Sequence, residues 1–453
     1  MNLKYISRIY MLVVLALFTQ SCDKQLDVEP QQSIDASTAL TNASDVDAAV
    51  IGAYSVIATG PLYGTNLFLM ADLQASEGYA TWAGTFQGQR QISLKTMTRD
   101  NAEAARTWNA AYRAINMANI VLNAVDVVTD ADLRNQYEGE ALFMRGILHF
   151  ELVRYYAKPW GTTAANDHLG VVIRTEPYLT EAPPSPRSTV KQVYDQVIAD
   201  LTAAAEKLPE SNGSRADRYA ALAFLARVYL QQSDYAKARD AANEVIESGN
   251  YAMNGNILRA FTEDNTDEVI WEIEQDVQNN AGDANDGMAT FYADLPAVGR
   301  GDVRISETFY NMYAAQDLRK SLWYYNSGAP LYSAKWTSAS QNLPVVRLAE
   351  MYLIRAETNL RLGTSVGDTP AGDLAQIRNP DRINLPVIAA PTLDDILRER
   401  WLELAFEGVR IHDIKRLKGS TGTFAWNDDA LVFPIPAQEV SASGEVIVQN
   451  PGY

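Results

Sequence analysis

Three glutamates near the C-terminal end of the chain repeat at a spacing of four residues, in the stretch "RERWLELAFEGVR". Glu399, Glu403 and Glu407 would share one helix face, and glycoside hydrolases cleave sugar chains with two carboxylates that lie about 5–10 Å apart. Three arginines lie close by in the sequence: Arg398, Arg400 and Arg410. We therefore interpret the glutamates as ion-paired packing residues, and we predict no catalytic residue.

Few other residues could bind a metal ion or take part in catalysis. The chain contains three histidines, His149, His168 and His412, and none has the spacing of a metal site or a catalytic triad. The segment "DANDG" (283–287) is similar to a calcium loop, but its glycine comes one place early and Asp294 stands where a glutamate is required. We expect neither a metal site nor a cofactor.

The only cysteine, Cys22, follows a short apolar stretch near the start of the sequence. Lys4 and Arg8 precede an uncharged, mostly apolar run of ten residues (9–18), which is too short to span a bilayer and is typical of a signal peptide. We predict a lipoprotein signal peptide over residues 1–21 and lipidation of Cys22, which would anchor the protein by its acyl chains. The alternative is an ordinary signal peptide that leaves a free cysteine, because Thr19 occupies the position where a leucine is usual.

The chain is acidic, with a formal net charge of −18 over 453 residues. Such a charge repels the phosphate groups of nucleic acids and of anionic lipids. We therefore expect no nucleic-acid partner. The residues after Cys22 are polar up to position 43, and we interpret 22–43 as a tether.

Beyond the tether, apolar residues recur at helical spacing, and two capping-box patterns mark helix starts, Ser44 with Asp47 and Thr189 with Gln192. The stretch "ALAFLARVYLQQSDYAKARDAANEVI" has the small and large residues of a tetratricopeptide helix pair, with Ala226 and Ala238 at the seam. The segment "DEVIWEIE" (267–274) predicts a strand. The fold class is therefore mostly α, a solenoid of tetratricopeptide-like helical pairs with irregular loop-rich insertions and a few short strands.

Several longer motifs occur in a fixed order over nearly the whole mature chain. They are "CDKQLDVEP", "GAYSVI", "WNAAYRAINMANIVL", "ALFMRGILHFELVRYYAKPWG", "NLPVVRLAEMYLIRAE", "RERWLELAFEGVRIHDIKRLK" and "LVFPIPAQEVSASGEVIVQNPGY". In this order they closely resemble the SusD/RagB family of outer-membrane lipoproteins of the Bacteroidetes type. The resemblance implies a single SusD-like domain over 44–453, in which 44–265 are mainly tetratricopeptide-type helices and 266–453 are loop-rich insertions with the C-terminal segment of the family.

The resemblance also implies a binding function without catalysis. Proteins of this family sit on the cell surface over a SusC-like TonB-dependent transporter, capture glycans or in some members peptides, and deliver them to the pore. We therefore expect a lipid-anchored, surface-exposed protein of the outer membrane that hands oligo- or polysaccharide to such a transporter. The alternatives are a peptide-binding protein on the same transporter type, a glycoside hydrolase, and a general peptide-docking scaffold.

Aromatic residues must carry recognition if the ligand is a sugar, because pyranose faces stack on aromatic rings. Many aromatic residues, among them Trp108, Trp160, Trp271 and Trp401, fall in predicted helices, in the predicted strand or in motifs of the family. Other rings lie in two segments with the character of loops, "SEGYATWAGTFQG" (76–88) and "MATFYADLP" (288–296), and the resemblance implies that ligand contacts cluster in such insertions. The candidate ligand-binding residues are Tyr79, Trp82, Phe86, Phe291 and Tyr292.

Overall fold

The computed structural model describes residues 40–178, 180 and 182–453, with the backbone alone at Asp283. The predicted signal peptide, Cys22 and most of the predicted tether lie outside the described residues. The first helix begins at Ala43, the last residue assigned to the tether. Among the described residues, no helix combines the length and the apolar composition needed to cross a membrane.

The first half of the described chain consists mainly of helices. They are α1 (Ala43–Ile57), α2 (Asn66–Gln74), α3 (Gln87–Leu94), α4 (Ala102–Ala124), α5 (Ala131–Tyr156), α6 (Val190–Lys207), α7 (Arg218–Gln232) and α8 (Tyr235–Glu247), with a 3-10 turn at Val125–Val127. The long helices pack in sequence: α1 on α4, α4 on α5, α5 on α6, α6 on α7 and α7 on α8. This order of packing is the stacking of helical pairs that the repeat pattern predicts.

The predicted tetratricopeptide pair is confirmed as α7 and α8. Ala226 and Ala238 are fully buried, as small residues at a close helix–helix seam must be. The helices are joined by Ser233, which adopts a left-handed conformation (φ 61°), and by Asp234, which accepts a hydrogen bond from the Lys237 amide at 3.3 Å. The sequence pattern and the local geometry therefore agree at this turn.

The two predicted helix starts have different outcomes. Thr189 and Gln192 form the predicted capping box at the start of α6. The predicted box of Ser44 and Asp47 is wrong, because α1 begins at Ala43, two residues before the start that a Ser44 cap would give, and Asn42 is its cap. The Asn42 side chain accepts hydrogen bonds from the amides of Ser44 and Asp45, at 2.9 and 3.2 Å. Asparagine caps a helix as well as serine does, so the upstream residue takes the role.

The strands are short, and all of them except the first lie in the second half of the described chain, together with further helices. The strands are β1 (Ala80–Trp82), β2 (Val269–Ile273), β3 (Asp294–Leu295), β4 (Gly299–Arg300), β5 (Val303–Ile305), β6 (Tyr324–Asn326), β7 (Leu331–Ser333), β8 (Leu343–Arg347), β9 (Ser420–Thr421) and β10 (Phe424–Ala425). The helices are α9 (Arg259–Thr262), α10 (Met288–Tyr292), α11 (Glu307–Tyr310), α12 (Leu318–Leu322), α13 (Leu348–Leu362), α14 (Pro370–Ile377), α15 (Pro380–Ile383), α16 (Leu393–Glu403), α17 (Arg410–Arg416) and α18 (Ala437–Ala442), with 3-10 turns at Ala281–Ala284 and Asp429–Leu431.

These strands form antiparallel pairs: β1 with β5, β2 with β8, β3 with β4, β6 with β7, and β9 with β10. The strand predicted from "DEVIWEIE" is confirmed as β2. Its Trp271 packs edge-on against Tyr63, Phe143 and Phe224, with ring centroids 5.7, 5.1 and 6.0 Å away. The strand β2 is therefore fixed to the helical scaffold by its central side chain.

The predicted packing role of the glutamates is confirmed, but the predicted partners are wrong. Glu403 is fully buried and accepts hydrogen bonds from Arg382 Nη2 at 2.7 Å, Arg319 Nη1 at 3.0 Å and Arg347 Nη1 at 3.5 Å. Glu407 lies beyond the end of α16, where it contacts Lys335 Nζ at 2.7 Å. Helical spacing identifies neighbours along one helix, whereas the partners of a buried face come from the elements packed on it.

The arginines that were expected to pair with the glutamates have other contacts. Arg400 bonds to Glu350 at 3.0 Å and to Asp413 at 2.9 Å. The Arg410 guanidinium lies 3.6 Å from the ring centroid of Trp401, and Arg398 donates to the backbone of Met312 at 2.5 Å. Neighbouring positions on α16 and α17 therefore face different parts of the structure.

Candidate ligand-binding site

The strand pair β1–β5 brings the two aromatic segments of the sequence together. Trp82, the last residue of β1, is the antiparallel partner of Val303. The next amide, that of Ala83, donates to the backbone oxygen of Asp302 at 2.7 Å. The chain that carries Trp82 and Phe86 is thus held beside the chain that carries Arg300 and Asp302.

Five side chains meet at this junction: Trp82, Phe86, Phe291, Arg300 and Asp302. We call them the aromatic–arginine cluster. The Phe291 ring lies edge-on to Trp82 and to Phe86, with centroid distances of 5.5 and 6.2 Å. Such edge-to-face contacts stabilise aromatic pairs and fix their orientation. The more exposed rings therefore rest on a buried one.

The guanidinium of Arg300 lies over two of these rings. Its central carbon is 4.7 Å from the centroid of Phe86 and 5.3 Å from that of Phe291. Its Nε and Nη2 donate to Asp302 Oδ2 at 3.0 and 2.6 Å, and Nη1 donates to Asn285 Oδ1 at 2.7 Å. A guanidinium has five N–H groups, and in the described part of the chain two of them have no acceptor.

A close backbone approach explains Gly84 within the first segment. A Cβ atom at this position would lie 2.6 Å from Trp82 Cζ2 and 2.7 Å from Asp302 Cγ, closer than non-bonded atoms can approach. The Gly84 oxygen accepts from Arg90 Nη2 at 2.7 Å, which ties the turn to helix α3. The glycine therefore lets the backbone pass between the indole and the carboxylate of the cluster.

The cluster reaches the surface through Phe86 and Arg300. Phe86 is 37% exposed, the Arg300 side chain is also 37% exposed, and Trp82 is half-buried. Thr85 and Gln87 are exposed on either side of Phe86. An exposed ring next to a guanidinium with spare N–H groups can stack on the C–H face of a sugar while it donates to the sugar hydroxyls.

The structure separates the five candidate residues into two groups. Tyr79, Phe291 and Tyr292 are buried, at 1%, 0% and 0% exposure, so the expectation that they are exposed loop rings is wrong. Ligand contact by Trp82 and Phe86 stays a prediction. Phe291 supports both of these rings from below.

The burial of the two tyrosines has a specific cause. Tyr79 stacks on Phe406 with ring centroids 4.5 Å apart, and its hydroxyl accepts from the Phe406 amide at 2.6 Å. The Tyr292 hydroxyl donates to Asp72 Oδ2 at 2.6 Å. Burial raises the pKa of Asp72 to about 7, although the Tyr292 hydroxyl favours its charged form. These residues therefore belong to a buried polar network and not to a ligand surface.

Sequence reasoning missed Arg300, Asp302 and Asn285. The only local signal is "GRGD" (299–302), an arginine between two glycines with an aspartate two positions later. This signal does not indicate which rings the arginine covers, because the pairing of β1 with β5 decides that.

No group of His, Cys, Asp or Glu side chains within the described residues could hold a metal ion. In the "DANDG" segment, Asp286 is buried and pairs with Arg106, which also contacts Glu103 at 2.9 Å.

Comparison with known proteins identifies the class to which this fold belongs. The SusD-like model described as "Starch-binding associating with outer membrane" matches residues 24–230, and the model of the SusD family matches residues 321–432. The chain belongs to the SusD/RagB family.

Individual relatives cover nearly the whole chain. SusD-like protein P2 from Formosa agariphila is 25% identical over 97% of this chain and 98% of its own length. The crystal structure of a SusD superfamily protein from Bacteroides thetaiotaomicron is 26% identical, with a TM-score of 0.81 over 90% of this chain and 100% of that one. Surface glycan-binding protein A from Bacteroides uniformis shares the fold at 21% identity, with a TM-score of 0.76 over 90% of this chain and 99% of that one.

Proposed function

We propose that this protein binds oligo- or polysaccharide at the cell surface and hands it to a SusC-like TonB-dependent transporter of the outer membrane. The single observation that carries the proposal is the aromatic–arginine cluster, in which the half-exposed rings of Trp82 and Phe86 adjoin a guanidinium with spare donors. The family model for starch-binding proteins and the glycan-binding name of one structural neighbour support a saccharide as the ligand.

The chemistry of the cluster fits a neutral sugar. Arg300 is already neutralised by Asp302, so the cluster offers hydrogen bonds and an apolar ring face with no excess positive charge. Binding without hydrolysis is part of the proposal. The glutamates that could suggest hydrolysis are instead buried among arginines, where Glu403 has no exposed surface.

The remaining features of the proposal follow from the family. We propose that residues 44–453 form a single SusD-like domain and that a lipid on Cys22 anchors it to the outer membrane. A protein that must open and close over a transporter requires a broad polar contact surface, because inter-domain contacts that move are more polar than permanent ones.

A panel of oligosaccharides and short peptides tests the proposal. Purified full-length protein should retain one class of saccharide and leave it uncleaved, whereas a Phe86→Ala/Arg300→Ala double variant should retain none of it. Retention of peptides alone would indicate the peptide-binding alternative, and the appearance of shortened sugars would indicate a hydrolase.

A further inference from the structure

A groove runs along one edge of strand β2, apart from the aromatic–arginine cluster. β2 pairs with β8 on one side, and no strand of the described chain pairs with its other edge. Two cavities, of about 530 and 390 Å³, lie along this strand. The first is lined by residues 269–272 of the strand and the second by residues 271–274. We call the two cavities together the β2 groove.

The walls of the groove come from a loop and a helix. Ser214 and Arg215, in the loop between α6 and α7, line both cavities. Ile51 and Tyr54 of α1 line the smaller one, and Ile51 is 47% exposed. Both cavities have volumes within the range of ligand pockets, about 300–1,000 Å³.

One carboxylate oxygen in the groove has no partner. Glu272 is 94% buried, since its exposure is 6%, and it lines both cavities. Its Oε1 accepts from the Asn265 amide at 2.7 Å and from Asn342 Nδ2 at 2.6 Å. Its Oε2 is buried and accepts no hydrogen bond from any described residue. Burying an acceptor without a donor costs free energy, which a donor on a ligand would recover.

The charge of the lining defines the ligand. The acidic residues that line the groove are Glu210, Asp217, Asp267, Glu272 and Glu274. Arg215 is the only cation among the lining residues, and it already contacts Asp47 at 2.8 Å. The groove is therefore complementary to a positively charged group.

The three aromatic residues that line the groove, Trp271, Tyr251 and Tyr54, are buried or half-buried and offer little ring surface to a sugar. Trp271 is 3% exposed and is packed among other aromatic rings. Tyr251 is half-buried, and its hydroxyl donates to Asp217 at 2.9 Å. A strand edge without a strand partner, in contrast, is the structure to which an extended peptide adds by main-chain hydrogen bonds.

We propose that the β2 groove binds an extended peptide segment that carries a lysine or an arginine. The main chain of the segment lies along the edge of β2 opposite β8, and its cation lies next to Glu272. The five residues of β2 span about 17 Å, so the bound segment has about five or six residues. The site is separate from the saccharide site and does not depend on it.

Defined peptide pools test this proposal on the full-length protein. Each pool contains fluorescent six-residue peptides blocked at both ends, with lysine, arginine, glutamine or glutamate fixed at the third position and valine, threonine and tyrosine mixed elsewhere. By fluorescence anisotropy, the lysine and arginine pools should bind about 10- to 150-fold more tightly than the glutamine pool, since the cation bonds to a charged acceptor. Hydrogen exchange of amides 269–274 should slow when they bind.

Substitutions in the groove complete the test. Glu272→Gln preserves the shape of the side chain and its Oε1 contacts, and it should remove the preference for the cationic pools. The matched change Glu307→Gln, at an exposed residue, should leave that preference unchanged. Ser214→Trp should block binding of all pools by filling the groove, with an unchanged melting temperature.

Three results would overturn the proposal. They are equal binding of all pools by the wild-type protein, an unchanged preference of Glu272→Gln for the cationic pools, and slowed exchange only at amides that lie outside β2. Loss of saccharide binding in Glu272→Gln would assign the groove to sugars instead. Phe86→Ala should leave the binding of the peptide pools unchanged, so a failure at one site is distinguishable from a failure at the other.

Discussion

Replacing Glu403 by alanine should destabilise the fold without touching the proposed ligand site. The carboxylate is fully buried and contacts three arginines, Arg382, Arg319 and Arg347, at 2.7, 3.0 and 3.5 Å. Burial by itself would raise the pKa of Glu403, but the three guanidinium groups hold it well below its usual range. The residue is therefore charged throughout the neutral pH range.

The cost of the substitution follows from the arginines that remain. Arg319 keeps Asp317 and Arg347 keeps Glu407, both at hydrogen-bond distance, whereas the remaining carboxylate near Arg382 is that of Glu268 at 3.7 Å. Removing one partner from a buried ion pair costs about 3–5 kcal/mol.

For a chain with about 410 described residues, the entropy of unfolding is about 0.9 kcal/mol per kelvin. The expected fall in melting temperature is therefore about 3–6 °C.

Thermal unfolding, followed by circular dichroism, measures this fall. Glu206→Ala on the exposed side of α6 is the matched control, and it should change stability by less than about 0.5 kcal/mol. A melting temperature of Glu403→Ala within about 1 °C of wild type would refute the reasoning from buried charge. Loss of saccharide binding at unchanged stability would instead assign the glutamate to a ligand site.

The remaining predictions concern other parts of the molecule. Trp82→Ala should weaken saccharide binding about 5- to 150-fold, as measured by binding titrations. It should also lower stability by about 1–3 kcal/mol, as measured by urea unfolding, because the half-buried indole packs on Phe291. The folded-state pKa of Asp72 is about 7, above the unfolded value of about 3.9. Between these two pH values the folded state binds more protons than the unfolded state, so the stability of the wild-type protein should fall as the pH rises from about 4 to about 7. Asp72→Asn should remove that slope in urea unfolding at pH 5, 6, 7 and 8. Cys22→Ser should shift the protein from the detergent phase to the aqueous phase, and membrane-bound Cys22→Ser with a cleaved signal would contradict lipidation. Mild detergent extraction should co-purify a SusC-like transporter, and repeated recovery of the protein alone would argue against that partner.

The helical scaffold could be predicted because its signals are local. Thr189 and Gln192 lie three residues apart, and the buried alanines of α7 and α8 lie within one helix pair, so short-range geometry decides both. The start of α1 was predicted wrongly because Asn42 and Ser44 are both competent caps and lie two residues apart, so the local sequence does not decide between them.

The exposure of the aromatic residues could not be predicted from local sequence. Tyr79 and Phe86 lie seven positions apart in one segment of similar composition, yet Tyr79 is buried and Phe86 is not. The difference arises from Phe406, whose amide bonds to the Tyr79 hydroxyl from 327 positions away in the chain. Arg300 was missed for a related reason, since only the pairing of β1 with β5 brings its segment to Phe86.

The most direct test of the saccharide site is a calorimetric titration of three proteins with the sugar that the panel identifies: wild type, Phe86→Ala and Leu94→Ala. Leu94→Ala is the control. Leu94 lies on α3, outside the aromatic–arginine cluster, and is an apolar residue more exposed, at 60%, than Phe86. Loss of one stacked ring should weaken binding by about 1–3 kcal/mol, or about 5- to 150-fold, in Phe86→Ala. Leu94→Ala should bind as wild type does, and all three proteins should melt at similar temperatures. Equal affinities of wild type and Phe86→Ala would contradict the assignment of saccharide binding to the aromatic–arginine cluster.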